Sequence, residues 1–72
     1  MSKKELEFAV FCIENIAVCL EMNGEDVYTL LTVDSNALSD YIIPSYESLH
    51  TQGKEYIIND IVEYLTLKGL IK

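Results

Sequence analysis

Seventy-two residues are enough for one hydrophobic core and exclude a second, so residues 1–72 read as a single domain. Half of the residues are apolar and only three are glycine and one proline, a composition that excludes a disordered chain. Twelve acidic residues stand against five lysines and no arginine, a net charge of −7 that repels phosphate backbones and argues against nucleic-acid binding.

The first predicted element is a long helix from about Lys3 or Lys4 to Met22, with Glu5 and Glu7 favourable in its first turn and Asn23-Gly24 as its stop. At 100° per residue, Leu6, Ala9, Val10, Ile13, Ile16, Ala17 and Leu20 share a face of roughly 120°, an ordinary core stripe. Phe8, Phe11, Cys12, Val18, Cys19 and Met22 form a second apolar band on the far side, with Asn15 in its middle. A surface helix needs only one stripe. The second predicts that this helix is central, or that it gives Phe8, Phe11, Val18 or Met22 to another chain. The simplest such chain is a symmetry-related copy whose Asn15 faces this one. In the rival arrangement residues 35–50 fold back over the band, since Leu38, Tyr41, Ile42, Tyr46 and Leu49 supply the apolar area.

Asn23 is placed to cap a second helix through Val27, Tyr28, Leu30 and Leu31, ending near Thr32 or Val33. Residues 27–33 are also rich in strand formers, but the chain offers no convincing partner strand, so helix is expected. Ser35 is the predicted cap of a short helix from Asn36 to Ile42, and Pro44 breaks it. A further turn or two follows, over Pro44 to His50, with Tyr46 and Leu49 inward. The last helix, about Lys54 to Lys68, carries Ile57, Ile58, Ile61, Val62, Tyr64 and Leu65 on one side and stops at Gly69-Leu70. The expected fold is therefore all-α. Two long helices, about 4–22 and 54–68, pack through Ile13, Ile16, Leu20 and Ile57, Ile61, Leu65, with two or three short helices between them.

Residues able to do chemistry are few. Cys12 and Cys19 are seven apart, about 10 Å along a helix, which is beyond disulfide reach. Lys3-Lys4 is followed at once by Glu5 and Glu7, unlike a secretory leader, and no apolar run approaches a membrane span. A cytoplasmic protein with reduced thiols is expected. Cys12 or Cys19 with His50 is the one available nucleophile and base combination, and its spacing matches no thiol-enzyme surroundings. The same three residues lack the paired spacing of a zinc site, and Gly24, Gly53 and Gly69 make no phosphate loop. No catalytic residue, cofactor or metal is expected. Among the five tyrosines, Tyr41, Tyr56 and Tyr64 are expected in the core, whereas Tyr46 beside His50, Thr51 and Gln52 is a candidate partner surface.

The segments Phe11-Cys12-Ile13-Glu14-Asn15, Asp40-Tyr41-Ile42-Ile43-Pro44-Ser45-Tyr46 and Leu49-His50-Thr51-Gln52-Gly53-Lys54-Glu55-Tyr56-Ile57 resemble a family of short uncharacterised bacterial proteins classed as a domain of unknown function. The similarity covers nearly the whole chain. It implies a stand-alone cytoplasmic helical protein encoded beside other small proteins, some similar to ADP-ribosyltransferase-type toxins, and hence an accessory or neutralising role. The family supplies no catalytic residues to carry over. The expectation is a non-enzymatic protein-protein interaction module, antitoxin-like or regulatory. Its candidate surface is Phe8, Phe11, Asn15, Val18, Met22, Tyr46, His50 and Gln52, and its partner a toxin-like protein encoded nearby or a second copy. The alternative is a small thiol-dependent or redox-responsive protein using Cys12, Cys19 or His50.

Overall fold

Residues 2–71 are described by a computed structural model of the chain. Its first element, α1 (Lys3–Leu20), starts on a capping box: the Ser2 side chain accepts from the Glu5 backbone at 3.1 Å, and the Ser2 backbone donates to the Glu5 carboxylate at 2.9 Å. That bond to the Ser2 backbone holds the Glu5 carboxyl below its ordinary range, so the cap weakens as acid protonates it. The helix ends at Glu21, which sits in the left-handed region with φ 55°, while Met22 N–H bonds back to the Ala17 carbonyl at 2.9 Å. The stop therefore falls at Glu21 and not at the expected Asn23-Gly24. Only three residues separate α1 from α2 (Gly24–Thr32), and Asn23 is already committed to capping α2 by accepting from Asp26 N–H at 2.8 Å. A non-glycine residue in this conformation costs roughly 1 kcal/mol. Glu21→Gly is accordingly expected to raise the melting temperature by a few degrees, and a lower value in a thermal melt would contradict that strain.

Helix α2 buries Val27, Leu30 and Leu31, and it resolves the helix-or-strand ambiguity of that segment. Tyr28, expected among its apolar positions, points outward and is 54% exposed. The expected helix after Ser35 is a single wide π turn, π1 (Leu38–Ile42), with Ile43 N–H reaching the Leu38 carbonyl at 2.9 Å. Pro44 has no N–H to donate to the Asp40 carbonyl, and the widened turn brings Ile42 fully into the core. Ser35 fixes the entry, donating to the Leu30 carbonyl at 2.7 Å and accepting from Ala37 N–H at 3.2 Å. A single turn, α3 (Tyr46–Leu49), buries Leu49. Helix α4 (Lys54–Leu67) buries Ile57, Ile58, Ile61 and Leu65. It closes with Gly69 at φ 75° and a 2.9 Å bond from Leu70 N–H to the Leu65 carbonyl, the glycine stop read from the sequence.

The molecule is an all-α bundle, with α1 packed against both α2 and α4. Ile16, Leu31, Ile42, Ile61 and Leu65 are the largest fully enclosed side chains, with Ile13 and Leu20 packed against the same cluster. Tyr41 ties π1 to α4 by donating to the Asp60 carboxylate at 2.5 Å and stacking on Tyr64 at 4.0 Å. Tyr41 and Tyr64 are half-buried, but Tyr56, expected in the core, is 57% exposed.

The buried face of α1 differs from the expected stripe. Phe8, Ala9, Cys12, Ile16 and Ala17 are buried, whereas Leu6 and Val10 are 55% and 46% exposed. The core arc is rotated by about 50° toward the second band. Phe8 and Cys12 therefore belong to the core, and Val18 and Cys19 to the surface.

Candidate functional site

The rotation of α1 brings its N-terminal half against the segment that follows Pro44. Phe8 meets Tyr46 edge-on at 5.3 Å between ring centroids, and Phe11 stacks beside Phe8 at 6.4 Å. Tyr46 stacks in turn on His50 at 4.4 Å. The His50 ring is held by its Nδ1–H, which donates to the Tyr46 carbonyl at 2.7 Å, one turn back along the chain. Four rings thus run in sequence from α1 to the end of α3.

They line an open groove of about 530 Å³ between α1, α3 and the start of α4. Five of the eight expected surface residues meet there: Phe8, Phe11, Tyr46, His50 and Gln52. Phe8 is mostly buried and forms the floor, while His50 and Gln52 are exposed at the rim. Lys4, Glu7, Lys54 and Ile57 complete the lining, beyond the residues expected there. Lys4 and Phe11 flank Phe8 at helical spacing on one arc of about 60°, so the periodicity held a signal for Lys4. Lys54 and Ile57 arrive only through the packing of α4.

The other expected residues lie elsewhere. Asn15 and Val18 border a smaller groove with Cys19 and the first turns of α4. Asn15 donates one amide N–H to the Phe11 carbonyl at 2.8 Å, one turn back on its own helix, and keeps its second N–H and its carbonyl oxygen for other partners. Met22 packs against the core. The second band is therefore not one continuous seam: α3 covers its Phe8 end, Met22 turns inward, and Phe11 and Val18 keep outward surface.

The thiols are both free. Cys12 is fully buried, and desolvation pushes its thiol up to about 12. Cys19 is exposed in the smaller groove, apart from the one that His50 lines. Among the described residues no three His, Cys, Asp or Glu side chains cluster as metal ligands would, and no helix is long and apolar enough to cross a membrane.

A small all-α bundle with an aromatic-lined groove between α1, α3 and α4 is the class of protein this geometry defines. The chain belongs to the family described as "Protein of unknown function (DUF3791)", whose model matches residues 7–68 and so runs from within α1 to the end of α4. No curated protein and no solved structure matches it.

Proposed function

We propose that the chain is a non-enzymatic protein-protein interaction module of a bacterial cytoplasmic system, an antitoxin-like or regulatory accessory subunit whose partner docks on the α1–α3–α4 groove. The ring sequence Phe8, Phe11, Tyr46 and His50 carries this reading. Partner-binding surfaces concentrate aromatic residues that offer large apolar area at little entropic cost, with polar groups at the rim. Here the floor is built from rings packed on one another and the rim is supplied by His50 and Gln52. A toxin-like protein encoded nearby is the partner that the family resemblance puts first. The thiol-dependent alternative draws less support, because Cys12 is enclosed, its ionisation is opposed by burial, and His50 borders a different groove from Cys19.

A photo-crosslinking side chain in place of Gln52 is expected to capture one protein from the native host, whereas the same side chain in place of exposed Thr66 on α4 captures little. Equal capture at both positions, or none at position 52, would overturn this reading. A second copy is the competing partner, and the exposed Leu6, Val10 and Val18 that motivate it lie along α1 outside this groove. Light scattering separates the two, since a lone chain has a mass of 8.2 kDa.

A further inference from the structure

The same groove reverses the charge of the protein. Two of the five lysines, Lys4 and Lys54, and the single histidine line it, against one carboxylate, Glu7. With the histidine neutral its lining carries two positive charges and one negative, a balance of +1 on a chain of net −7. Three neighbouring grooves differ. One carries Glu5 and no lysine, another carries Glu7 and Glu14 and no lysine, and the smaller groove balances Lys54 with Glu55.

Resting on the docking reading above, we infer that the groove accepts an acidic segment of a partner protein, one apolar side chain entering over Phe8, Phe11 and Ile57 while flanking carboxylates meet Lys4 and Lys54. The floor demands an apolar anchor, since a bare anion would gain nothing from three hydrocarbon surfaces and would lose its hydration. The rim demands carboxylates, since basic side chains there would face lysines of like charge. Lysine supplies compact point charges without the planar fork that grips phosphate in bidentate fashion, and the chain has no arginine. Helix α4 begins at this wall on Gly53, which has no side chain to cap it, so a carboxylate here also meets the favourable end of that helix. The acidic remainder of the surface acts as a filter, turning away segments whose negative charge extends beyond the groove.

Fluorescence anisotropy of the whole protein with short labelled peptides tests this assignment. One peptide carries a tryptophan between aspartates, a second the tryptophan between lysines, and a third alanine between aspartates. The first is expected to bind roughly tenfold more tightly than either of the others. Raising the salt from about 0.05 M to about 0.5 M should weaken it several-fold. The double variant Lys4→Glu, Lys54→Glu should invert the preference toward the lysine peptide. Both positions are exposed, and an unchanged melting temperature shows that the variant is folded. Preference for the lysine peptide by the unaltered protein, or equal binding of the tryptophan and alanine peptides, overturns the inference. Failure of all three peptides while position 52 still crosslinks a host protein also overturns it and leaves the docking reading standing. A mass that doubles in the unaltered protein and returns to one chain in the lysine variant assigns the groove to a second copy and overturns it as well.

Discussion

Ile61→Ala is expected to remove about 2–5 kcal/mol of stability, the range for deleting a fully enclosed isoleucine and leaving a partly collapsed cavity. At roughly 0.05–0.15 kcal/mol per residue, a domain of this length has about 4–11 kcal/mol in total. One substitution therefore consumes a large share of it. The midpoint of thermal unfolding should fall by about 10–30 °C, because a domain this small shifts several degrees per kcal/mol. Ile61 occupies the middle of α4 at 0% exposure, within the cluster that also contains Ile16 and Leu65, so the cavity opens at the centre of the bundle. Tyr56→Ala on the same helix is the internal comparison, since Tyr56 is 57% exposed and should cost about 0.5 kcal/mol or less. Equal shifts in the two variants would show that α4 does not bury the face described here.

The isoleucines of α4 were readable because one periodic apolar arc stands opposite Glu55, Asn59 and Glu63, leaving a single way to turn the helix. The orientation of α1 was not, because apolar residues occur on both of its sides and periodicity ranks the two bands almost equally. What decides between them is packing with elements later in the chain: α1 lies against α2 and α4, and Tyr46, 38 residues after Phe8, comes edge-on against it. Leu6 and Val10 are left outside for the same reason. The end of α1 falls short of the Asn23-Gly24 stop: glycine is the usual signal for a left-handed stop, but here Glu21 takes that conformation while Gly24 opens the next helix. At the groove, Tyr46, His50 and Gln52 could be grouped from their nearness after Pro44. Lys54 could not, since it reaches the same wall by the packing of α4 and carries no local motif.

The two cysteines should differ by at least about a thousandfold in their reaction with a thiol reagent in the native state. Cys19 is exposed and should react at once, giving one equivalent. Cys12 has 0% exposure and can react only when the core opens, so its rate is scaled down by the opening equilibrium, about a thousandfold for 4 kcal/mol. Desolvation also pushes its thiol up to about 12. In the unfolded chain the same thiol ionises near the ordinary value of about 8.5. The neutral form is thus favoured by folding: its contribution is fully present below the ordinary thiol range and declines as pH rises toward about 12. Tyr41, raised in the same direction chiefly by its bond to Asp60, adds to the alkaline loss, so the comparison must be made with Cys12→Ala. That variant should lose part of the decline between about pH 9 and 10 while keeping the tyrosine part above it. Fast labelling of both thiols in the folded protein would place Cys12 at the surface and revive a thiol-dependent activity. Labelling of Cys19 alone leaves that activity without its enclosed thiol and keeps the aromatic groove as the place where function is tested.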